Sequence, residues 1–529
     1  MNIEKYDRTH HATVGSEGSV ALLAIDAGTS GLKVAVYDDL GEQAAFASTG
    51  YAFLQGEEGT PELHAAELWT VLRNMVRKAT KDAPASTIKA VSISSHGESF
   101  VPIGSDGKPL SPFILNIDSR ATEEVAELVA EIGKERLYRT TGLPPHAMYT
   151  IPKIAWLKRH EPALFEKTQK FLCIEDFLLH RAGIGAYIST SLASRTMGLD
   201  LVRGGWSQRI LGKAGIDADI LGQPVPSGTP LGRASPQVAE ELNLPREALW
   251  VSGGHDQACC SLGGGGLSEG TAVDGTGTFE CLTIARKHPS FSPQALAANF
   301  PCEKHIVPAH FLTLAYVPGG LVLQWTRDQL SKAEVILARN SNRNPYDIML
   351  ASTPEAPTEL LFFPHLLGTG TPWLDTTARG TIYGLAANTT HAMIVKSSLE
   401  GVTFEMRWNI DLLEAAGISI KQIHAVGGGA RSRVWLQLKA DIFGRDVVSV
   451  AGEASCIGAA ICAGIGAGIY SSWQEGAATL VKPTESFQPH SVTHKRYQEL
   501  FEQYKHMANC LYGYQPTVYN GHPLIQEAV

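Results

Sequence analysis

Two Gly-Thr pairs occupy matching places in the two halves of the sequence. Gly28-Thr29 and Gly275-Thr276 each follow a short apolar segment that predicts a strand, and each opens a hairpin-like turn. If the halves are similar units that face each other, the two turns lie on opposite sides of a cleft. Ligands bind preferentially at such junctions between domains. The repeat therefore predicts a duplicated fold that holds a ligand between its halves.

A third glycine-rich segment lies in the second half. Residues 423–426 predict a strand, the loop Gly427-Gly428-Gly429-Ala430 follows it, and a helix with apolar residues at helical spacing comes next. Strand, glycine loop and helix form the geometry that lets the backbone approach a nucleotide closely. The same loop also occurs where elements simply pack together, so the pattern by itself leaves both interpretations open.

The elements that position these turns alternate between strand and helix. Residues 20–25 and 32–37 predict the strands of a hairpin, residues 63–81 predict a helix, and residues 88–94 predict another strand. The strand pattern restarts near residue 250, where residues 249–252 and 271–273 predict short strands. Alternation of this kind is typical of α/β domains.

The composition fits a multidomain globular protein. The chain of 529 residues exceeds the roughly 100–200 residues of one domain. Apolar residues make up 44% and charged residues 18%, which is ordinary globular usage. The net charge is −9, whereas a nucleic-acid surface requires clustered Lys and Arg. We therefore expect no nucleic-acid partner.

The sequence carries no pattern for export or membrane insertion. Residues 1–19 are polar, predict a flexible lead-in and lack the apolar core of a signal peptide. The longest apolar run, residues 456–470, is too short to span about 30 Å of hydrocarbon and predicts a buried helix that packs through small residues. Eight cysteines without CxxC spacing favour a reduced compartment. We expect a cytoplasmic protein with no membrane partner.

Several motifs together resemble the FGGY family of carbohydrate kinases over about residues 20–510. The most specific is residues 148–160, MYTIPKIAWLKRH, which is similar to the first family signature. Residues 380–385 and 397–401 are similar to the second signature, from which the sequence departs at Met393. The motifs that then follow the family's order are residues 25–30, 254–257, 275–276 and 427–430.

The resemblance implies an α/β fold of two actin-like (ribonuclease H-like) domains with an active-site cleft between them. It implies an N-terminal, sugar-binding domain at 20–262 and a C-terminal, ATP-binding domain at 263–515, with a lead-in at 1–19 and a tail at 516–529. It also implies ATP and Mg²⁺ as cofactors and a small sugar or polyol as substrate. It leaves a homodimer open as the assembly.

Two aspartates carry the chemistry according to this resemblance. The residue that matches Asp256 in the relatives accepts the proton of the hydroxyl that attacks the γ-phosphate, so Asp256 is the expected general base. The residue that matches Asp26 holds hydrated Mg²⁺ beside the ATP phosphates. The structural alternatives are a helix cap for Asp256 and a turn cap for Asp26.

The glycine turns are expected to bind the nucleotide. Gly28, Thr29 and Ser30 would offer backbone N–H groups and hydroxyls to phosphate. Lys33 would offset charge near the γ-phosphate, with a solvent-facing strand lysine as the alternative. The other expected contacts are Gly275 and Thr276 near the β- and γ-phosphates, and Gly427, Gly428, Gly429 and Ala430 along the adenosine.

Six residues form the expected sugar pocket. They are Ser95, His96, Asn116, Asp118, Arg120 and Gln257, with Glu98 as a weaker candidate and a structural histidine as the alternative for His96. Asn116 stands where relatives have Trp, and Ser95 stands where they have Met. Both changes replace an apolar wall by a polar group, and unpaired polar groups penalise smaller substrates. We therefore expect that D-xylulose is not the best substrate.

The expected reaction is ATP-dependent phosphorylation of a hydroxyl group on a small sugar, polyol or sugar derivative. One alternative is a kinase of the same fold that acts on a non-pentulose, such as a hexonate, a tetritol or a signalling hydroxyketone. The other is an actin-like ATP switch or sugar sensor without turnover. The intact Asp26, Asp256 and Gly-Thr turns argue against this loss of turnover.

Overall fold

The computed structural model describes residues 20–55, 61–82 and 87–514. The predicted lead-in, 1–19, and the predicted tail, 516–529, lie outside the described residues. Both ends of the expected domain organisation therefore stay predictions.

Strands β1 to β14 and helices α1 to α10 lie in the first half of the chain. The strands are β1 (Ala21–Ala27), β2 (Gly31–Asp38), β3 (Gln43–Gly50), β4 (Leu54–Gln55), β5 (Pro61–Glu62), β6 (Ile88–Ser95), β7 (Phe100–Gly104), β8 (Thr168–Cys173), β9 (Tyr187–Ser189), β10 (Leu199–Asp200), β11 (Gly205–Trp206), β12 (Gln223–Val225), β13 (Pro230–Arg233) and β14 (Leu249–His255). The helices are α1 (Ala65–Asp82), α2 (Thr122–Ile132), α3 (Lys134–Thr141), α4 (Thr150–His160), α5 (Pro162–Lys167), α6 (Ile174–Arg181), α7 (Thr190–Ala193), α8 (Gln208–Ala214), α9 (Pro236–Leu242) and α10 (Asp256–Gly263).

Strands β15 to β23 and helices α11 to α19 lie in the second half. The strands are β15 (Thr271–Thr276), β16 (Glu280–Arg286), β17 (Cys302–Lys304), β18 (Phe311–Val317), β19 (Leu361–Phe363), β20 (Thr381–Tyr383), β21 (Gln422–Gly427), β22 (Asp446–Ala451) and β23 (Lys482–Phe487). The helices are α11 (Pro293–Ala297), α12 (Gly320–Trp325), α13 (Lys332–Ser341), α14 (Pro345–Ala351), α15 (His391–Ala415), α16 (Arg433–Phe443), α17 (Ala454–Gly466), α18 (Trp473–Leu480) and α19 (Ser491–Tyr512).

The first half is built on a six-stranded sheet in the order β13-β14-β6-β1-β2-β3. Strands β1, β2 and β3 form an antiparallel meander, and β6 and β14 continue the sheet in parallel with β1. Every residue of β1 is buried, as expected for a central strand with both faces covered. The strands predicted at 20–25, 32–37 and 88–94 are confirmed as β1, β2 and β6, and the helix predicted at 63–81 is confirmed as α1.

The second half repeats this connectivity in a seven-stranded sheet with the order β17-β18-β16-β15-β21-β22-β23. Strands β15, β16 and β18 form the antiparallel meander, and β21 and β22 run parallel to β15. Thus β1 corresponds to β15, β2 to β16, β3 to β18, β6 to β21 and β14 to β22. The duplicated α/β fold predicted from the two Gly-Thr pairs is confirmed.

Helices α10 and α17 join the two halves. A Cβ atom added to Gly458 on α17 would lie 2.1 Å from the carbonyl oxygen of Cys259 on α10, so the backbones meet through small residues. One apolar cluster contains Leu22 of β1 together with Ile461 of α17. The buried helix predicted within 456–470 is therefore confirmed as α17. The predicted boundary between the domains falls in the last turn of α10 and stays a prediction.

A membrane-crossing helix is not found in the described part of the chain, because none of its helices is both long and apolar enough.

Candidate active site

Asp26 lies near the end of β1, where two neighbouring strands supply its partners. It is 6% exposed. Ser94 on β6, its partner in the sheet register, donates a hydrogen bond of 2.9 Å to Oδ1. Lys33 on β2, its partner on the other side, places Nζ 3.8 Å from Oδ2. Burial raises the pKa of Asp26, while Lys33 and Ser94 act in the opposite direction.

Lys33 also reaches across to the second half of the chain. Its Nζ atom donates to Oε2 of Glu453 at 2.9 Å, and Arg431 lies 3.6 Å from the other oxygen of Glu453. Glu453 holds the N-cap position of α17. Burial alone would lower the pKa of Lys33, but Asp26 and Glu453 raise it, so the side chain is a fixed cation. Because the side chain is also 43% exposed, a contact of Lys33 with phosphate and the alternative of a solvent-facing strand lysine both stay predictions.

The three glycine segments lie at the ends of central strands. Gly28 N donates to Gly31 O at 3.0 Å in the first turn, whose tip residues Thr29 and Ser30 are exposed. In the second turn, Gly277 N donates to Phe279 O at 3.0 Å. The β1–β2 and β15–β16 turns therefore occupy equivalent places in the two sheets, but Gly28 and Thr29 lie in the first turn, whereas Gly275 and Thr276 are the last residues of β15 and the second turn begins at Gly277.

The Gly427 loop packs directly on the second turn. Thr276 and Gly427 are paired in the parallel register of β15 and β21. Gly427 has φ +83°, and a Cβ atom on Gly429 would lie 2.6 Å from Cγ2 of Thr276. Only glycine fits at position 429, because a side chain at this position would occupy the space of Thr276. Gly427 and Gly428 are exposed, whereas Ala430 is buried.

A fully buried lysine lies beneath Thr276, and sequence reasoning missed it. Lys439 on α16 places Nζ 2.5 Å from Asp274 Oδ2, 3.1 Å from Glu280 Oε2 and 3.0 Å from Thr276 Oγ1. Burial alone would lower the pKa of Lys439, but Asp274 and Glu280 raise it, and burial and Asp274 raise the pKa of Glu280 to about 8. Because the ammonium donates to Thr276 Oγ1, the hydroxyl keeps its own proton for another acceptor.

Asp256 is the first residue of α10 and follows β14 directly. The N-cap position belongs to His255, so Asp256 does not cap the helix. Its side chain is 18% exposed, and Oδ1 lies 3.2 Å from His255 Nε2. Burial raises the pKa of Asp256 to about 6, His255 opposes this rise, and the charges of Asp26 and Glu98 add to it. The predicted base and the predicted metal ligand therefore lie within electrostatic reach of each other.

Two residues predicted for the sugar pocket lie at the carboxyl end of β6. Ser95 is the last residue of the strand, and His96 follows it. Ser95 is fully buried, and its Oγ atom has no hydrogen-bond partner in the described part of the structure. His96 has both ring nitrogens engaged, with Nδ1 3.2 Å from Ala27 O and Nε2 2.9 Å from Ser99 Oγ. Ser99 Oγ accepts from Asn116 N, so Ser99 donates to Nε2 and Nδ1 carries the proton of His96.

This arrangement makes His96 a neutral, internally bonded histidine. Burial lowers its pKa. The geometry fits the structural alternative, and a substrate contact of His96 stays a prediction.

Asp118 is half-buried and pairs with the exposed Arg120. Arg120 Nε lies 3.0 and 2.9 Å from the two carboxylate oxygens of Asp118, and its guanidinium stacks 4.7 Å from the centre of the Trp156 ring. Asn116 and Gln257 are half-buried.

Glu98 belongs to a buried network of charged side chains. The sequence indicated Glu98 as a weaker candidate but did not indicate its partners. It is 4% exposed and has φ +66°, an uncommon conformation for a residue with a side chain. Arg195 donates from Nε to Glu98 Oε1 at 2.7 Å and lies 3.4 Å from Glu303 Oε2. Arg195 Nη1 is buried without a hydrogen-bond partner among the residues described. One feature of the sequence could have pointed to Arg195. It is a charged residue within a segment of mostly small side chains, SLASRT (residues 191–196).

The donor set fits Mg²⁺ at Asp26. Within the described ranges, no three His, Cys, Asp or Glu side chains form a ready-made metal site. Mg²⁺ does not need one, since it binds through one or two carboxylates, several waters and substrate phosphates. Ser94 donates to Oδ1 of Asp26, and Lys33 Nζ lies 3.8 Å from Oδ2, so Oδ2 is the oxygen that would face such a ligand in competition with Lys33.

Comparisons with known proteins identify the family. A gluconokinase of Bacillus subtilis (strain 168) is 27% identical over 496 residues, which cover 93% of this chain and 96% of the relative. A xylulose kinase of the same organism is 28% identical over 494 residues, 92% of this chain and 96% of the relative. The crystal structure of a gluconate kinase from Lactobacillus acidophilus has the same fold, with a TM-score of 0.84 and 23% identity over 93% of this chain and 98% of that one. The models of the N-terminal and C-terminal domains match residues 21–263 and 272–467, and the chain belongs to the FGGY family of carbohydrate kinases.

Proposed function

We propose that this protein transfers the γ-phosphoryl group of ATP to a hydroxyl of a small sugar or polyol, with Asp256 as the general base. The observation that carries the proposal is the state of Asp256. Its Oδ1 atom lies 3.2 Å from His255 Nε2, its side chain is 18% exposed, and its pKa is raised to about 6. A base with a pKa just below the working pH is mostly ionised and still accepts a proton readily.

The step moves one proton and one phosphoryl group. Asp256 takes the proton of the attacking hydroxyl as the new O–P bond forms. The bond from the γ-phosphorus to the bridging oxygen breaks, and its electron pair leaves with ADP. Little covalent chemistry is left to the protein, so positioning and charge neutralisation dominate.

The chain supplies fixed positive charge and donors for the nucleotide. Asp26 would hold Mg²⁺, which neutralises charge on the phosphates when bound. Lys33 adds a cation that Glu453 fixes in place. Thr276 has a hydroxyl proton to donate, because Lys439 already donates to its oxygen. The turns expected to contact the rest of the nucleotide are residues 28–30, 275–276 and 427–430.

The pocket that would receive the acceptor is polar. Ser95 has a buried hydroxyl, and Asn116 is half-buried, with its backbone N–H donating to Ser99 Oγ. The similarity to proteins named gluconokinase and xylulose kinase supports a polyhydroxylated acceptor.

The test is a panel of ketoses, polyols and sugar acids with ADP release as the readout. The wild-type protein should turn over at least one acceptor, and Asp256→Asn should lower kcat for it by about 10²–10⁴-fold. Affinity for ATP and the melting temperature should stay nearly unchanged, because binding and chemistry use different groups. Asp106→Asn, which removes an exposed carboxylate, is the matched control and should keep full turnover. A fall of kcat by less than about fivefold, far below that range, would show that the base lies elsewhere.

A further inference from the structure

A buried row of three side chains runs from the second sheet to the candidate base. Nδ1 of His255 lies 2.7 Å from Glu303 Oε1, and Nε2 lies 3.2 Å from Asp256 Oδ1. Glu303 is fully buried and His255 is 4% exposed. A histidine between two carboxylates is thus placed directly behind the group that is to accept the substrate proton.

Glu303 is held rigidly although it comes from the other half of the chain. It lies on the edge strand β17, whose neighbours in sequence bond to the first half. Cys302 N donates to Gly142 O at 2.7 Å, and Lys304 N donates to Ser194 Oγ at 3.1 Å. These two bonds tie β17 to the first half on both sides of Glu303.

One hydrogen bond and one ion-pair contact bear on where the protons are. A carboxylate only accepts, so Nδ1 of His255 donates to Glu303. Nε2 lies 3.2 Å from Asp256 Oδ1 as an ion-pair contact, so these two groups interact through charge. Burial alone would lower the pKa of His255, but the charges of Glu303 and Asp256 raise it. The proton therefore belongs on Nε2, which makes His255 an imidazolium and Asp256 a carboxylate.

The charged groups around Asp256 explain why a positively charged His255 is needed to keep Asp256 ionised. The groups that face the pair are the carboxylates of Asp26, Glu98 and Glu303, the cation of Arg195, the neutral His96, and the thiols of Cys260 and Cys281. Burial raises the pKa of both thiols, so they stay neutral. Arg195 is occupied by Glu98 and Glu303. Without His255, Asp256 would face three carboxylates with no cation bonded to it.

We propose that His255, fixed by Glu303, is a positioning residue whose positive charge, 3.2 Å from Oδ1 of Asp256, keeps this carboxylate ionised, so that Oδ2 accepts the substrate proton. The inference rests on the proposed role of Asp256 as the general base. His255 keeps both of its ring protons throughout the step, and the only proton that moves goes from the hydroxyl to Oδ2.

The test is the pH profile of kcat in His255→Gln, with the best substrate of the panel. Glutamine keeps a polar side chain at this position but carries no charge. Removal of the positive charge disfavours ionised Asp256, so the acid limb of the profile should move up by about one pH unit or more. For a shift of one pH unit from a pKa of about 6, kcat relative to wild type should fall about threefold at pH 6.5 and about tenfold at pH 5, and it should be nearly unchanged at pH 9.

A matched control separates this effect from general damage. His365 is also a buried histidine bonded to a buried carboxylate, with Nε2 3.1 Å from Glu405 Oε1, but it packs against Tyr512 and Tyr514 in the second half. His365→Gln should leave the acid limb where it is in the wild type. A loss in His255→Gln that is equal at all pH values would overturn the proposal, because it would show a purely structural role.

A second measurement reads the imidazole without activity. In protein labelled at the histidine ring carbon, the signal absent from His255→Gln identifies His255. Its protonation midpoint should fall by about one pH unit or more in Glu303→Gln. An unchanged midpoint would overturn the role of Glu303. If Asp256→Asn keeps its turnover, the proposed function itself fails, whereas an inactive Asp256→Asn with an unshifted profile in His255→Gln refutes this inference alone.

Discussion

Asp26 is bonded by Ser94 on one oxygen and approached by Lys33 on the other. We expect Asp26→Asn to keep the Ser94 bond and to lose affinity for Mg²⁺. Changes to residues that only support a metal ligand cost about 10–100-fold in metal affinity or activity, so loss of the ligand should cost at least that at limiting Mg²⁺. Turnover measured against Mg²⁺ concentration checks this, with KM for the acceptor as the internal control. Full activity at limiting Mg²⁺ would remove the metal role from Asp26.

Single residues next to the glycine turns could be predicted from the sequence, whereas their partners could not. Asp26, Lys33 and Asp256 stand in or beside recognisable motifs. Glu453 lies 420 residues after Lys33, and Glu303 is joined to His255 only because an edge strand of the second sheet reaches the first half. Such pairs follow from the tertiary fold and have no local pattern. For the same reason, the raised pKa of Asp256 could not be predicted from its neighbours in sequence.

Strands were predicted at the right places but ended too early. The strand predicted at 249–252 extends to His255 in β14, and the strand predicted at 271–273 extends to Thr276 in β15. The run of apolar residues ends where glycine and polar residues begin. The backbone of each strand nevertheless stays paired with the neighbouring strand beyond that point. The strand residues that the apolar pattern misses include His255 and Thr276, which belong to the candidate active site.

The contact between α10 and α17 has a measurable requirement for glycine. In Gly458→Ala, the new Cβ atom would meet the Cys259 carbonyl oxygen at 2.1 Å, and overpacking of this kind costs about 1–3 kcal/mol. We expect the melting temperature to fall by about 2–4 °C for each kcal/mol. Gly212→Ala in α8 is the control, because nothing lies within 4 Å of its added Cβ and alanine favours a helix by about 0.5–1 kcal/mol. Equal melting temperatures in both variants would contradict the close contact.

Substrate choice depends on the whole molecule, since both halves contribute buried charge to the region around Asp256. Glu98 and Arg195 come from the first half, and Glu303 comes from the second. We predict that D-xylulose is not the best acceptor in the panel, because Ser95 keeps a buried hydroxyl without a partner. Loss of a partner for such a group is worth about 1–3 kcal/mol. Comparison of kcat/KM across the panel checks this, and a D-xylulose value that leads by about tenfold, or 1.4 kcal/mol, would contradict it.

Helix α17 belongs to the last part of the chain but packs on the first sheet, where Leu22, Ala24 and Ala90 contribute to the cluster it shares. During synthesis, the first half leaves the ribosome long before residue 454 is made. A nascent chain that ends before that point exposes this apolar face of β1 and β6 to water. Vectorial folding, in which one domain matures before the next emerges, is therefore incomplete here. The first domain is expected to reach its final form only when the end of the chain arrives, and to depend on chaperones until then.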